Sequence, residues 1–225
     1  MPQPPRRRPH SSYLLRLTPV AATAVLAAGA ACRGALGANP APDPNPGCCQ
    51  ELTTLYEASI FKVNVMRVGV RVDAETAAAV QGMISTAPRS APLEDEVARR
   101  YQAAQAATVE VEFLMAMSGE TFITNTVKSL RGLVGDGQLT AEAAERLSGE
   151  ARARFGFLTA AGVRSADRIR YDVVADTVTT NYLRAEQVLM HDRQVGSLHR
   201  NALLASYFAP SSDFRRGLLD QVFRR

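Results

Sequence analysis

Between residues 52 and 72 apolar and polar positions alternate with a period of two. Ile60, Lys62, Asn64, Met66, Val68, Val70 and Val72 share one side, and Phe61, Val63, Val65, Arg67, Gly69 and Arg71 the other. The pattern predicts one long strand, apolar on both faces at its start and polar on one face at its end. The period then lengthens to that of a helix over 74–84, behind Asp73 as a cap. A second short helix, acidic first and basic later as the helix dipole favours, follows over 93–104. Alternation returns at 108–117. Ser118 then caps a helix through Phe122, Val127, Leu130 and Leu133 that stops near Gly135. Thr140 starts another, through Leu147, Phe155 and Leu158 to Gly162. Segments 168–175 and 177–190 read as strands, with turns at about Asp176 and near Ala185, and helices over 194–208 and 212–223 close the chain. Strands come early and late, with helices between and after them, which is the order of an α+β domain with an antiparallel sheet.

The first 38 residues follow a different plan. A basic start through Arg16 leads into an apolar stretch over 17–31 and then into small residues, the layout of an export signal. That stretch is short and rich in Ala and Gly, so it predicts removal and not a membrane span. Ala28-Gly29-Ala30 suits ordinary cleavage, whereas Gly29-Ala30-Ala31-Cys32 suits a lipoprotein box with a lipid anchor at Cys32; both stay open. Residues 39–50 contain a proline-rich polar spacer, and 51–225 form the domain. The expected location is periplasmic or otherwise secreted.

Charge changes the picture once the leader is set apart. The sequence pI of about 9.2 suggests a nucleic-acid partner, but five of the 26 Lys and Arg lie in the first 38 residues, which hold no acid. The 22 Asp and Glu are all in the remainder, so the body is near neutral and offers no footprint for a phosphate backbone. Export gives meaning to the cysteines, yet Cys48 and Cys49 are adjacent and bridge each other only with strain. They read as free or modified thiols. His191 and His199 lack Cys or acid at ligand spacing, so no metal is expected and a surface or cap role is assigned to each. No nucleotide or dinucleotide string appears, so no cofactor is expected. Arg67 and Arg71 read as an exposed basic edge.

Four strings in order resemble the chalcone isomerase-like family across roughly 52–224: ASIFKVNVMRVGVRV (58–72), VEFLMAMSGETFITNTVKSLRGL (111–133), RIRYDVV (168–174) and NALLASYFAPSSDFRRGLL (201–219). The resemblance implies an antiparallel sheet covered on one face by helices. It also implies a ligand region near Asn64, Phe122 and Ser129, which align with a strand Thr, a helical Tyr and a helical Asn of the plant enzymes. Those enzymes close a chalcone with a cation beside the phenolate and donors at the ketone. Here no Arg stands between Arg33 and Arg67, and Phe122 carries no hydroxyl. A non-catalytic member is therefore expected, binding a fatty acid or other apolar small molecule. An isomerase (intramolecular lyase) with an altered site and an envelope scaffold are the alternatives.

Overall fold

The computed structural model describes residues 50–58 and 63–224; the expected leader, the cysteines and the expected spacer up to residue 49 lie outside them. Thirteen elements are described: β1 (Gln50–Ala58), β2 (Val63–Val72), α1 (Ala74–Thr86), α2 (Ala91–Gln102), β3 (Ala106–Phe113), α3 (Gly119–Gly135), α4 (Ala141–Phe155), α5 (Leu158–Ala161), β4 (Arg168–Val174), β5 (Thr177–Arg184), β6 (Gln187–Val195), α6 (Ser197–Phe208) and α7 (Arg215–Phe223). The strands form one sheet in the order β1-β2-β3-β4-β5-β6, every neighbouring pair antiparallel. The α+β class expected from the sequence is what the chain forms.

Alternation sets the two faces. Val68, Val70 and Val72 of β2, Val109 and Phe113 of β3, and Ile169 and Val173 of β4 are buried on the helical side. The opposite side carries paired charge: Arg67 Nη1 lies 2.6 Å from Glu112 Oε2, and Arg170 Nε 2.9 Å from Asp172 Oδ1. Arg67 and Arg71 stand on this outer face, but β2 is flanked by β1 and β3, so they are not on an edge strand as expected.

The largest correction concerns 52–72. The predicted single strand is two, β1 and β2, paired with each other from Gln50↔Val72 to Ala58↔Val63. Neither Gly nor Pro marks the turn between them, so the apolar pattern runs through the reversal unbroken. The β5–β6 turn, by contrast, falls near Ala185, where one was expected. Ala185 and Glu186 both take positive φ, 48° and 66°, the backbone of a tight hairpin turn, in residues that adopt it only at a cost. The 177–190 segment is split there as expected, but β6 extends to Val195 and α6 begins three residues later than predicted.

Capping follows the sequence closely. Asp73 Oδ1 accepts from Thr76 N at 2.7 Å, while its Oδ2 accepts from Gln105 N and Ala106 N, so one carboxylate ties α1 to β3. Ser118 Oγ accepts from Thr121 N at 3.0 Å. Gly119 lets α3 rest directly on α5, since a Cβ there would stand 2.0 Å from the Leu158 carbonyl oxygen. The predicted 140–162 helix breaks at Gly156 into α4 and α5. Above the sheet, α3, α4 and α6 share a small second core of Leu130, Leu133, Leu147 and Ala202, which holds these three helices together as a roof.

Candidate ligand-binding site

Between that roof and the sheet lies a cavity of about 460 Å³. Phe122 of α3, Leu147 and Phe155 of α4, Val111, Ile169 and Val178 of the sheet supply apolar wall. Phe122 is wedged edge-on between Phe113 and Phe155, with ring centroids 5.6 and 5.1 Å away. Such contacts add to the burial of the rings and hold that wall rigid. The exposed residues Asn125, Lys128, Ser129, Ser211 and Asp213 form a rim on one side. Tyr56 stands there too, its ring 5.4 Å from Phe214. Burial first, and the Asp213 carboxylate second, raise the Tyr56 phenol above its ordinary value.

The other end of the cavity is polar, and strand register builds it. Tyr171 of β4 pairs with Thr180 of β5, which pairs with Asp192 of β6, so the three form one row on the helical face. Over the row α4 brings Glu150 and Arg154, four residues apart and therefore on one side of the helix, and α6 brings His199. Arg154 Nε lies 2.6 Å from Asp192 Oδ2, with the guanidinium side chain 14% exposed. The pair has the distance of an ion pair without hydrogen-bond alignment, so the Nε–H is left without a partner. His199 Nε2 is 2.8 Å from Glu150 Oε2, which also accepts from Gln194 Nε2 at 3.2 Å. His199 Nδ1 and the fully buried Thr180 Oγ1 are likewise without partners.

Two phenols complete this pole. Burial pushes Tyr171 up to about 12, with the Arg154 charge pulling against it. Burial, then the neighbouring Tyr171, holds Tyr207 well above the ordinary value. Both remain neutral O–H groups throughout the physiological range. A smaller recess of about 340 Å³, bounded by Arg154, Asp192 and His191, abuts the same pole from the β6 side.

Of the residues singled out by sequence, Phe122 lies in the cavity wall and Ser129 on the rim. Asn64 is on β2 opposite Glu57, and its side chain lies outside the described residues. Arg67 and Arg71 face away from the cavity, which removes them from any chemistry in it. His199, assigned to the surface or a cap, lines the cavity instead. Two cations line the cavity, Lys128 at the rim and Arg154 at the polar end, the second on a helix outside the strings that carry the resemblance. One signal for it was present: Arg154 follows Leu147 by seven and Ala151 by three, so a charge sits within the apolar stripe of α4. Tyr171 and Thr180 had no such mark, being single polar residues in alternating strands. Among the described residues no cluster of His, Cys, Asp and Glu is able to hold a metal, and no helix is long and apolar enough to cross a membrane.

Sheet, roof and the cavity between them define an α+β protein with a pocket between its layers. No protein-family model matches the chain, and no curated protein matches it. A solved structure does: a fatty-acid binding protein of Arabidopsis thaliana, with a TM-score of 0.55 and 10% sequence identity over 80% of this chain and 90% of that one. At that identity the likeness shows the fold, which is chalcone isomerase-like.

Proposed function

We propose that this chain is a non-catalytic binding protein that takes an apolar ligand into the cavity between sheet and helices. One observation carries the reading: a roughly 460 Å³ space, walled by Phe and aliphatic side chains, ends on a few buried polar groups. Volume and lining match small-molecule sites, which run from about 300 to 1,000 Å³ and pair apolar walls with a few orienting polar atoms. The fold neighbour's description as a fatty-acid binding protein supports a ligand with a long hydrocarbon part. Phe122 supports a non-catalytic role, because its ring is a packing element held by two others where the plant enzymes carry a phenol. The leader supports export, so the ligand would be met outside the cytoplasm.

Titration with the uncharged fluorescent dye N-phenyl-naphthylamine tests the reading. Saturable one-to-one uptake is expected in the native chain, and at least about tenfold weaker uptake in Ala151→Phe, which places a ring inside the cavity. Uptake that is absent in the native chain, or unchanged by Ala151→Phe in a protein of unaltered circular dichroism, would overturn it.

A further inference from the structure

The polar pole of the cavity lacks hydrogen-bond partners, but it does not lack negative charge. Three buried atoms there make no hydrogen bond, Arg154 Nε meeting Asp192 only out of alignment, and buried polar atoms left in that state point to a group that completes them. Their needs differ. Arg154 Nε–H only donates and the Thr180 hydroxyl donates or accepts; His199 Nδ1 offers a lone pair when Nε2–H is given to Glu150. They belong to one connected patch: Thr180 pairs with Asp192, Asp192 faces Arg154, and Glu150, one turn before Arg154, holds His199.

Charge decides what such a patch accepts. The Arg154 guanidinium already faces Asp192 at 2.6 Å. Glu150 adds a second carboxylate, whose nearest guanidinium is that of the exposed Arg146, 3.9 Å away and 62% open to solvent. At the rim Lys128 and Asp213 bring one charge of each sign, and the two phenols are neutral. No positive charge is left in excess for an incoming anion.

Resting on the reading of this cavity as a ligand site, we infer that its pole takes an uncharged hydroxyl head group, as of a long-chain alcohol, and disfavours a carboxylate on the same chain. A hydroxyl oxygen accepts from a donor such as Arg154 Nε–H, and its proton goes to an acceptor such as His199 Nδ1. An ester lacks that proton and leaves Nδ1 unmet. A carboxylate brings like charge against Asp192 and Glu150, whose side chains are half-buried, the arrangement by which sites reject a wrong partner.

Displacement of bound N-phenyl-naphthylamine from the full chain at neutral pH, by dodecanol, methyl dodecanoate and dodecanoate, reads the preference. Dodecanol is expected to displace at a concentration about tenfold or more below dodecanoate, with the ester weaker than the alcohol. Asp192→Asn is expected to strengthen dodecanoate and narrow the gap, and Glu150→Gln serves as a second route should that variant fold poorly. Dodecanoate binding as tightly as dodecanol would overturn the inference, as would a gap that neither substitution narrows. A chain that binds the dye while preferring dodecanoate defeats only this inference; a chain that binds neither dye nor any of the three compounds defeats the cavity reading itself.

Discussion

Two polar clusters sit on the helical side of the same sheet, two residues apart on β5, and they are built in opposite ways. Around Tyr182 every group is answered. The Tyr182 hydroxyl donates to Asp167 Oδ2 at 2.6 Å, Arg184 Nε donates to Oδ1 at 2.9 Å and Arg184 Nη2 to Oδ2 at 2.7 Å, and Arg164 N adds 2.8 Å. Arg184 Nη2 also donates to the Gly162 carbonyl, at the φ +60° glycine that ends α5. Around Thr180 the Thr180 hydroxyl and His199 Nδ1 are unanswered, Arg154 Nε meets Asp192 only out of hydrogen-bond alignment, and a cavity stands beside them. A closed network of this kind fixes one loop arrangement against the sheet. An open one costs stability in the free chain and yields binding energy when a ligand completes it. The contrast separates a closed cluster from an open one, the proposed ligand pole, without appeal to residue type, since each contains an Arg, an acid and a Tyr.

That contrast is most exposed to test at Asp167. Asp167→Ala leaves the Arg184 charge and the Tyr182 hydroxyl without their partner, and a loss of roughly 3–5 kcal/mol is expected, a fall in Tm on the order of 10 °C. Thermal and urea unfolding measure it, and a loss under about 1 kcal/mol would mean the cluster is not a buried unit. Its pH signature has a definite sign. Burial alone would raise the Asp167 carboxyl, but the Arg184 and Tyr182 hydrogen bonds outweigh it and hold the group below its ordinary value. A depressed folded-state pKa means the carboxylate stabilises the fold above the unfolded value. That stability is lost as pH falls from about 4 through the folded value. Asp167→Ala is expected to flatten that acid limb, seen by unfolding at a series of pH values.

Tyr182→Phe is the next in size. It removes one donor while Arg184 still serves the carboxylate, for a loss of about 1–2 kcal/mol. The smallest effect is the sharpest. Thr180→Val replaces an unanswered hydroxyl by a methyl of the same shape, so the ligand-free chain is expected to gain up to about 1 kcal/mol while dye-displacing alcohols bind more weakly. Opposite signs at two neighbouring inward positions of one strand would confirm the distinction. Two losses would mean that Thr180 is satisfied in solution as Tyr182 is.

The parts of the fold that were legible from residues rest on local signals. Asp73, Ser118 and Thr140 each predicted a cap that forms, because a short side-chain oxygen ahead of an apolar run satisfies backbone N–H groups locally. The inward face of β2 followed from period two. Where a signal was missing the reading failed: the β1–β2 reversal has neither Gly nor Pro; the β5–β6 turn fell near Ala185 as expected, although Ala and Glu make it in a backbone region that neither favours. At the site, Phe122 and Ser129 line the cavity, whereas Arg154 and Thr180 went unnoticed and His199 was misplaced.

By itself, then, the sequence determined the α+β class, the caps, which β2 residues turn inward and the uneven charge between the first 38 residues and the rest. All of these depend on neighbours within a few positions. Only the tertiary structure decided that Tyr171, Thr180, Asp192, Arg154 and His199 meet. Strand register joined the first three and helix packing delivered the last two, across separations in the chain that no local pattern encodes. Whether a buried polar atom is answered is a property of that meeting, and it is what separates the Asp167 cluster from the pole of the cavity.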